Sequence, residues 1–332
     1  MNKKLLLFAF CFATLTAIAQ DDVSKYYLAN YGFDSDYDYK AGDTDKVSKE
    51  ILDIPSWTAN LSADYTITGV YEFGFKGTFN GASVPSVGYN DLPGGALALS
   101  TGWEQTFCYY QTVTLPAGTY TINVPTYNGR TATKGTSMLA WIPNSGTQTT
   151  STLNAYPSHK WTLDQITFTL TKTTTGKIQI GYKAAANGSE NSACILLDYV
   201  QLLGSDMAVS KTKLKSAITT ANRLYGEGTG LDAAELKTAI DAAQAVNDNA
   251  EATMPEVLEA TYVLNAAIDS YNWKNASESK PLDMTSYINN PSFESNGTAG
   301  WEIKGMVTQN NTVFTKKAGT YYLESWVNIG SQ

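Results

Sequence analysis

Arginine and histidine are almost absent from this sequence. The 332 residues include two arginines, Arg130 and Arg223, and a single histidine, His159. Forked guanidinium clamps for phosphate, histidine-based catalytic triads and metal sites with several histidines need residue types that the chain hardly has. The composition therefore argues against most enzyme chemistries.

Charged residues are also scarce, at 16% of the chain, and the formal net charge is −8 because acidic residues predominate. An acidic protein is a poor partner for a polyanion, so we expect no nucleic acid ligand. Disorder needs low hydrophobicity and high charge, whereas 43% of the residues are apolar and 12% are aromatic. The chain should fold, and its length suggests two or three domains.

Long apolar runs are missing after the N-terminus. Residues 1–19 have the pattern of a cleaved signal peptide: Lys3 and Lys4 precede an apolar run over residues 5–13, and Ala17-Ile18-Ala19 is a small-x-small cleavage site. The run is too short to span a bilayer, and no later segment has about 20 apolar residues. We expect a soluble exported protein, periplasmic, cell-surface or extracellular, without membrane insertion.

Cysteine is rare as well. Of three cysteines, Cys11 lies in the signal peptide, which leaves Cys108 and Cys194. Export permits a disulfide between them, and a buried free thiol in an apolar strand is an equally good interpretation. A catalytic cysteine is disfavoured because the one histidine is not obviously paired with either.

Short alternating apolar runs, separated by glycine, proline and asparagine, fill residues 20–205. Sequences such as Leu115-Pro116-Ala117-Gly118 break one run from the next. The pattern predicts an antiparallel β-sandwich or jelly roll. The runs cover residues 65–75, 96–100, 107–115, 120–124, 137–142, 166–170, 178–182 and 193–203.

The apolar period becomes helical over residues 206–273. Glycines at 226, 228 and 230 separate the first two helical stripes, and Pro255 begins the third. The pattern predicts a three-helix bundle that acts as a spacer. The stripes are Leu214, Ile218, Ala221 and Leu224; Leu236, Ile240, Ala243 and Val246; and Val257, Thr261, Leu264, Ile268 and Tyr271.

The C-terminal part starts a second β-like pattern. After a polar linker at residues 274–287, the segment Asn290-Pro291-Ser292-Phe293-Glu294 matches the opening Asn30-Tyr31-Gly32-Phe33-Asp34 of the first sandwich. Residues 288–332 are too few for a sandwich of their own. We therefore expect the start of a second, truncated β-sandwich.

Taken in order, these motifs resemble a known class of binding module. An Asn-x-x-Phe-acidic opening, the turn Leu115-Pro116-Ala117-Gly118-Thr119-Tyr120 and the closing Leu197-Asp198-Tyr199-Val200-Gln201-Leu202 resemble the galactose-binding-like jelly rolls of carbohydrate-binding module families 4 and 9. The helical segment resembles spacer bundles of large secreted glycosidases and adhesins. The resemblance implies binding to a polysaccharide or glycoconjugate, without catalysis, and a role in glycan utilisation.

The resemblance also implies a structural calcium ion near the first and last strands. The matching positions are Asp34 and Asp198. Calcium takes six to eight oxygen ligands, which two carboxylates, backbone carbonyls and water could supply. The alternative is that Asp34 caps a turn and Asp198 is paired at a strand end.

A sugar site needs aromatic faces for the C–H side of a pyranose and polar groups for its hydroxyls. Two predicted loops and one strand end combine them, although each aromatic could instead fill the core. Trp57 and Trp103 look structural. The candidate carbohydrate-binding residues are Tyr127, Asn128, Arg130, Trp141, Tyr156 and Trp161.

The sequence thus predicts a secreted, non-catalytic carbohydrate-binding protein. Two alternatives stay open: the N-terminal accessory region of a larger glycoside hydrolase whose catalytic domain follows Gln332, and a surface adhesin with a protein partner. Glu190 and Asp198 are a conceivable carboxylate pair for hydrolysis, but the calcium site is a better use of Asp198.

Overall fold

A computed structural model describes residues 20–40, 53–61, 67–101, 105–131, 135–184, 193–226, 230–279, 281–283, 306–309 and 322–325. Two antiparallel sheets face each other, and three helices follow them. This confirms the predicted fold class, a β-sandwich joined to a helical bundle. The predicted signal peptide, Trp103 and Glu190 lie outside the described residues.

The elements are short and closely spaced in the first two thirds of the chain. The strands are β1 (Asp21–Asp22), β2 (Thr58–Leu61), β3 (Ile67–Glu72), β4 (Thr78–Phe79), β5 (Ala82–Ser83), β6 (Gly95–Thr101), β7 (Thr106–Leu115), β8 (Gly118–Asn128), β9 (Gly135–Ser137), β10 (Ala140–Pro143), β11 (Thr149–Thr150), β12 (Trp161–Leu170), β13 (Thr174–Ala184), β14 (Ala193–Leu197), β15 (Gln201–Ser205), β16 (Met306–Gln309) and β17 (Tyr322–Ser325). The helices are α1 (Ser24–Tyr27), α2 (Thr212–Gly226), α3 (Ala233–Asp248) and α4 (Met254–Lys274), with a 3-10 turn at Tyr89–Asp91.

Two large sheets form the sandwich. Sheet A has seven strands in the order β1-β15-β8-β14-β6-β3, with β12 paired to β8. Sheet B has six, in the order β11-β10-β13-β7-β2, with β9 paired to β13. The apolar runs predict these strands except β1, β2 and β11, although run 137–142 divides into β9 and β10, and run 193–203 into β14 and β15. Of the predicted second sandwich, the described part is the pair β16 and β17.

The main core lies between the two sheets. Strands β8 and β12 point alternate side chains inward, so that Tyr120 and Phe168 meet residues of sheet B such as Trp141 and Ile178. Trp57 is buried at 6% exposure, and its indole N–H donates to the carbonyl of Asn30 over 3.0 Å. The structural interpretation of Trp57 is therefore confirmed.

Pro125 interrupts the pairing of the long strand β8. Leu197 pairs with Thr126 and Gln201 pairs with Asn123, so three residues, 198–200, face two residues of β8. Proline has no N–H to donate, and the Asp198 N–H donates to its carbonyl over 3.0 Å. The extra residue makes a β-bulge, which separates β14 from β15 and moves Asp198 out of the regular alternation.

A second apolar cluster covers part of the outer face of sheet A. It combines side chains from strands β3, β6, β8 and β14 with the β4–β5 hairpin and is lined at its edge by half-exposed aromatics. Its buried members are Tyr39, Ile67, Tyr71, Phe79, Ala82, Val84, Ala96, Ala98, Tyr127, Cys194 and Leu196.

The three helices form the predicted bundle. Their buried side chains are largely those of the three apolar stripes, and Val246 and Thr261 lie at the edges of the bundle core. Thr253 and Glu256 form a capping box at the start of α4, where Pro255 occupies the first turn. None of the helices within the described ranges is long and apolar enough to cross a membrane.

The bundle packs directly on the sandwich. Glu259 of α4 accepts a hydrogen bond from the Tyr26 hydroxyl over 2.6 Å and pairs with the Lys25 ammonium at 2.8 Å. Met207 and Leu258 pack against the cores of both parts. The bundle is thus attached to the sandwich through side-chain contacts as well as through the chain.

Cys108 and Cys194, the two cysteines within the described ranges, are free thiols. Cys108 lies in β7 of sheet B and Cys194 in β14 of sheet A, and both are buried. Burial raises the pKa of the Cys108 thiol to about 11 and that of Cys194 to about 12. The sequence allowed either a disulfide or two buried free thiols, and the structure shows the buried free thiols.

Asp164 places a carboxylate inside the sandwich, on the inward side of β12. It is 4% exposed and accepts hydrogen bonds from the hydroxyls of Ser137, Ser151 and Tyr156, the last over 3.3 Å. Three donors replace the water that the carboxylate loses on burial. The cluster joins β12 to β9 and to the segment after β11.

We expect Asp164→Asn to lower the free energy of unfolding by about 3 kcal/mol, because the amide replaces one acceptor oxygen by a donor and leaves buried hydroxyls without a partner. Urea denaturation followed by near-ultraviolet circular dichroism measures the change. Asp269→Asn, an exposed site on α4, is the matched control. A loss no greater than that of the control would contradict the role assigned to Asp164.

Candidate functional site

Two of the predicted sugar-binding residues lie in the core. Trp141 is 1% exposed and stacks in parallel on Phe168, with ring centroids 4.9 Å apart. Tyr156 is 2% exposed and donates its hydroxyl to Asp164. Neither ring has a face for a sugar, so the prediction for Trp141 and Tyr156 is corrected: sheet packing uses both.

Tyr127 and Asn128 end strand β8 rather than forming a loop. Tyr127 faces outward but is covered by Trp161, its cross-strand partner, at a ring separation of 5.4 Å. Asn128 is 2% exposed; its amide donates to the Tyr156 carbonyl over 3.2 Å and accepts the Arg130 N–H over 3.0 Å. Both residues are buried beneath the surface side chains, so the prediction that they contact a sugar directly is corrected.

Arg130 attaches the β4–β5 hairpin to the end of β8. Its Nη2 donates to the Asn80 carbonyl over 2.6 Å, and its own carbonyl accepts the Ser158 hydroxyl over 2.8 Å. The side chain is half-buried, and His159 beside Ser158 is exposed. Arg130 therefore lies at the rim of the outer face, with part of its surface accessible.

Trp161 is the predicted residue that the structure places in an accessible aromatic cluster. It is half-buried at the start of β12, and its ring centroid lies 6.1 Å from that of Phe73 and 6.2 Å from that of Tyr89. Both neighbours are half-buried and meet it edge to face. The aromatic cluster is Phe73, Tyr89, Tyr127 and Trp161.

A row of amide side chains adjoins the aromatic cluster on the same face of sheet A. Gln165 Nε2 donates to Asn123 Oδ1 over 2.7 Å, Asn123 Nδ2 donates to Gln201 Oε1 over 3.0 Å, and Gln201 Nε2 donates to Asp22 Oδ2 over 3.0 Å. The row crosses β12, β8, β15 and β1. We call these four residues the amide ladder.

Strand alternation joins the two groups into one surface. Trp161, Leu163 and Gln165 are alternate residues of β12, so they share the outer face, and Leu163 is 42% exposed. Asn123 and Gln201 continue the surface across the next strands. We call Trp161, Leu163, Gln165, Asn123 and Gln201 the platform. Apart from Trp161, sequence reasoning missed these residues, although the alternation of β12 was visible.

Asp34 and Asp198 both hold the connection between β5 and β6. Asp198 Oδ2 accepts the Tyr89 N–H over 2.6 Å, and Asp34 Oδ1 accepts the Gly95 N–H over 3.2 Å. A Cβ at Gly94, where φ is +120°, would lie 2.0 Å from Asp34 Oδ1, so the carboxylate needs glycine there. Because Tyr89 also contacts Trp161, Asp198 positions part of the aromatic cluster.

The two carboxylates lie in an environment that disfavours their charge. Burial, partly offset by the Tyr89 N–H and reinforced by the charge of Asp34, raises the pKa of Asp198 to about 6. Burial also raises the pKa of Asp34. Across the described ranges, neither carboxylate has a lysine or arginine as an ion-pair partner.

The donor set at this position suits a hard cation. Two carboxylates with one backbone N–H each retain lone pairs that Ca²⁺ would accept. Within the residues that the structure describes, no group of three or more histidine, cysteine, aspartate or glutamate side chains could hold a metal. A calcium ion here would therefore depend on Asp34, Asp198, backbone carbonyls and water.

One protein-family model matches part of the chain. The DGF-1 beta-sheet domain matches residues 165–265, which include strands β13 to β15, helices α2 and α3 and part of α4. The match covers less than a third of the chain. No curated protein sequence matches significantly.

Several similar solved structures are carbohydrate-binding modules. TmCBM61 in complex with β-1,4-galactotriose is 16% identical with a TM-score of 0.34, and the match covers 54% of this chain and 98% of that module. The CBM22-1 xylan-binding domain of Paenibacillus barcinonensis Xyn10C is 14% identical, with a TM-score of 0.32 and coverages of 51% and 99%. The N-terminal cellulose-binding domain of Cellulomonas fimi β-1,4-glucanase C is 18% identical, with a TM-score of 0.26 and coverages of 48% and 93%.

Proposed function

We propose that this chain is a secreted, non-catalytic carbohydrate-binding protein that holds a polysaccharide or glycoconjugate on the platform. The observation that carries the proposal is the half-exposed ring of Trp161 next to a row of amides on one sheet face. An affiliation with carbohydrate-binding module families 4 and 9 belongs to the same proposal.

The chemistry of the platform matches that of a sugar. Trp161 and the exposed Leu163 offer apolar surface for the C–H face of a pyranose, and rigid aromatic side chains lose little entropy on binding. Gln165 is exposed and Gln201 is half-buried, and each has both donor and acceptor groups for hydroxyls. Asn123 is buried at 8% exposure and positions both of them through its hydrogen bonds. Because the residues stand on paired strands, the sheet holds them in place before the ligand arrives.

Binding without bond cleavage is the best-supported activity. Glycoside hydrolysis needs two carboxyl groups facing each other across the scissile bond. Asp164 and Asp198 are buried, and Asp22 at the end of the amide ladder accepts hydrogen bonds from Ser24 and Gln201. These roles leave each of the three carboxylates with a structural use. A glycosidase linked to this chain would supply catalysis from elsewhere.

A structural calcium ion bound by Asp34 and Asp198 is part of the proposal. The ion would supply positive charge beside the buried carboxylate of Asp198 and the exposed carboxylate of Asp34, and no chemical step depends on it. It would stabilise the β5–β6 connection, which carries Tyr89 of the aromatic cluster.

The proposed setting is the periplasm, the cell surface or the medium, reached through a cleaved signal peptide. The direct packing of the bundle on the sandwich supports a spacer role, because contacts such as Tyr26 to Glu259 fix the orientation of the platform. This geometry suits an accessory region of a larger glycoside hydrolase or an adhesin equally well. Both would use the same platform.

Removing the ring of Trp161 should abolish most glycan binding. We expect Trp161→Ala to raise the Kd of the best ligand at least about tenfold, because aromatic contacts carry much of the binding energy of such surfaces. Isothermal titration of the full chain against a broad glycan panel, including xylohexaose and β-1,4-galactotriose, finds the ligand and measures the change.

Trp273→Ala is the matched control, since Trp273 is 65% exposed on α4, away from the platform. It should leave the Kd unchanged. The proposal fails if the folded wild-type chain binds nothing in the panel, or if Trp161→Ala binds as tightly as the wild type.

The effect of pH on stability should differ with and without calcium. In a chelator, the pKa of Asp198 near 6 in the folded state exceeds its ordinary value of 3.8, so the folded chain binds the proton more tightly. The contribution of Asp198 to stability should therefore rise as the pH falls from 7 to 5. Calcium binds the ionised form, so it should raise the Tm at pH 7, and this gain should shrink as the pH falls through 6.

Differential scanning calorimetry of wild type and Asp198→Asn, with calcium and with chelator, measures both effects. Asp198→Asn should lose the calcium-induced rise in Tm and the part of the pH dependence of the Tm that comes from Asp198. Asp36→Asn, an exposed change in the same acidic segment, should keep both. A wild-type Tm that calcium does not move at pH 7 would rule out the proposed ion.

A further inference from the structure

The amide ladder has a single direction from β12 to β1. Each nitrogen donates toward β1: Gln165 to Asn123, Asn123 to Gln201, and Gln201 to Asp22. An amide can in principle turn over and exchange its oxygen with its nitrogen, because both ends have similar shapes. Some fixed group must therefore select one of the two directions.

Asp22 is the group that makes the selection. An ionised carboxylate accepts hydrogen bonds and cannot donate them, so Gln201 must point its nitrogen at Asp22. Once Gln201 is oriented, its oxygen faces Asn123 and must receive a nitrogen, and the same reasoning then orients Gln165. The second oxygen of Asp22 accepts the N–H of Ser24 over 3.0 Å and its hydroxyl over 2.6 Å, which holds the carboxylate in place.

We propose that Asp22, at the edge of sheet A, is a positioning residue that sets the donor and acceptor pattern of the platform and so selects the orientation in which a glycan binds. The inference rests on the proposed function. With the ladder oriented, the oxygen of each amide lies toward β12 and its nitrogen toward β1. A sugar hydroxyl that fits this arrangement would meet mismatched groups if the ladder were reversed.

Asp22→Asn should reverse the ladder. The two donors of Ser24 keep the new amide oxygen at the Oδ1 position, so the new nitrogen takes the place of Oδ2. That nitrogen would face the Gln201 nitrogen, and two donors repel, so Gln201 must turn over. Asn123 and Gln165 must follow for the same reason.

Asp21→Asn is the matched control. Asp21 precedes Asp22 in β1, is exposed, and belongs to the opposite side of the strand, so the change removes the same charge without touching the ladder. Comparing the two variants separates the direction of the ladder from the loss of one negative charge.

Two measurements on the full chain test the inference. The first is the position of the side-chain NH₂ resonances of Gln201, Asn123 and Gln165 in nitrogen–proton spectra. We expect Asp22→Asn to move all three pairs and Asp21→Asn to move none. A change confined to Gln201 would overturn the inference, because the orientation would then not pass along the ladder.

The second measurement is a Kd. The ligand is xylohexaose or β-1,4-galactotriose, whichever binds the wild type and loses affinity in Trp161→Ala. We expect Asp22→Asn to weaken binding about five- to tenfold, because mismatched hydrogen bonds replace matched ones, and Asp21→Asn to leave it unchanged. Equal affinity in wild type and Asp22→Asn overturns the inference while glycan binding stands. If neither oligosaccharide binds the wild type, the spectra alone decide the role of Asp22.

Discussion

The site depends on one missing hydrogen-bond donor in the middle of sheet A. Pro125 cannot donate to the neighbouring strand, so the last part of the sandwich chain pairs with β8 in two pieces, and Asp198 lies in the bulge between them. There its carboxylate receives the Tyr89 N–H. Tyr89 in turn meets Trp161. A backbone constraint in β8 thereby determines where an aromatic side chain from a distant connection stands on the surface.

Strand alternation in β12 divides the chemistry of the sandwich between its two faces. Asp164, Ile166 and Phe168 point inward, where a carboxylate can persist because three hydroxyls donate to it. Trp161 belongs to the other parity, with a partly exposed ring. The register of β12 in sheet A therefore decides which side chains each face carries, since a shift of one residue would bury the platform residues and expose the core residues.

The sequence predicts the strands, the helices and their buried stripes well, because periodicity depends on local pattern alone. It predicts the site less well. Trp141 and Trp161 were equal candidates, because a tryptophan in a strand can fill the core or face solvent. The packing between the sheets decides that Trp141 stacks on Phe168 while Trp161 stays partly exposed. The amide ladder was not predictable either, because Asp22 meets Gln201 only when the first and last strands of the sandwich pair, which needs the strand order.

The N-terminal segment connects the platform with the helical bundle. Asp22 ends the amide ladder, and its carboxylate also accepts the hydroxyl of Ser24 at the start of α1. That hydroxyl accepts the Leu202 N–H of β15, and the next residues of α1, Lys25 and Tyr26, contact Glu259 on α4. Hydrogen bonds therefore lead from the platform to the bundle within a few residues. The bundle and the platform are thus joined by side-chain contacts as well as by the chain, so the orientation of the platform relative to the bundle depends on Lys25, Tyr26 and Glu259.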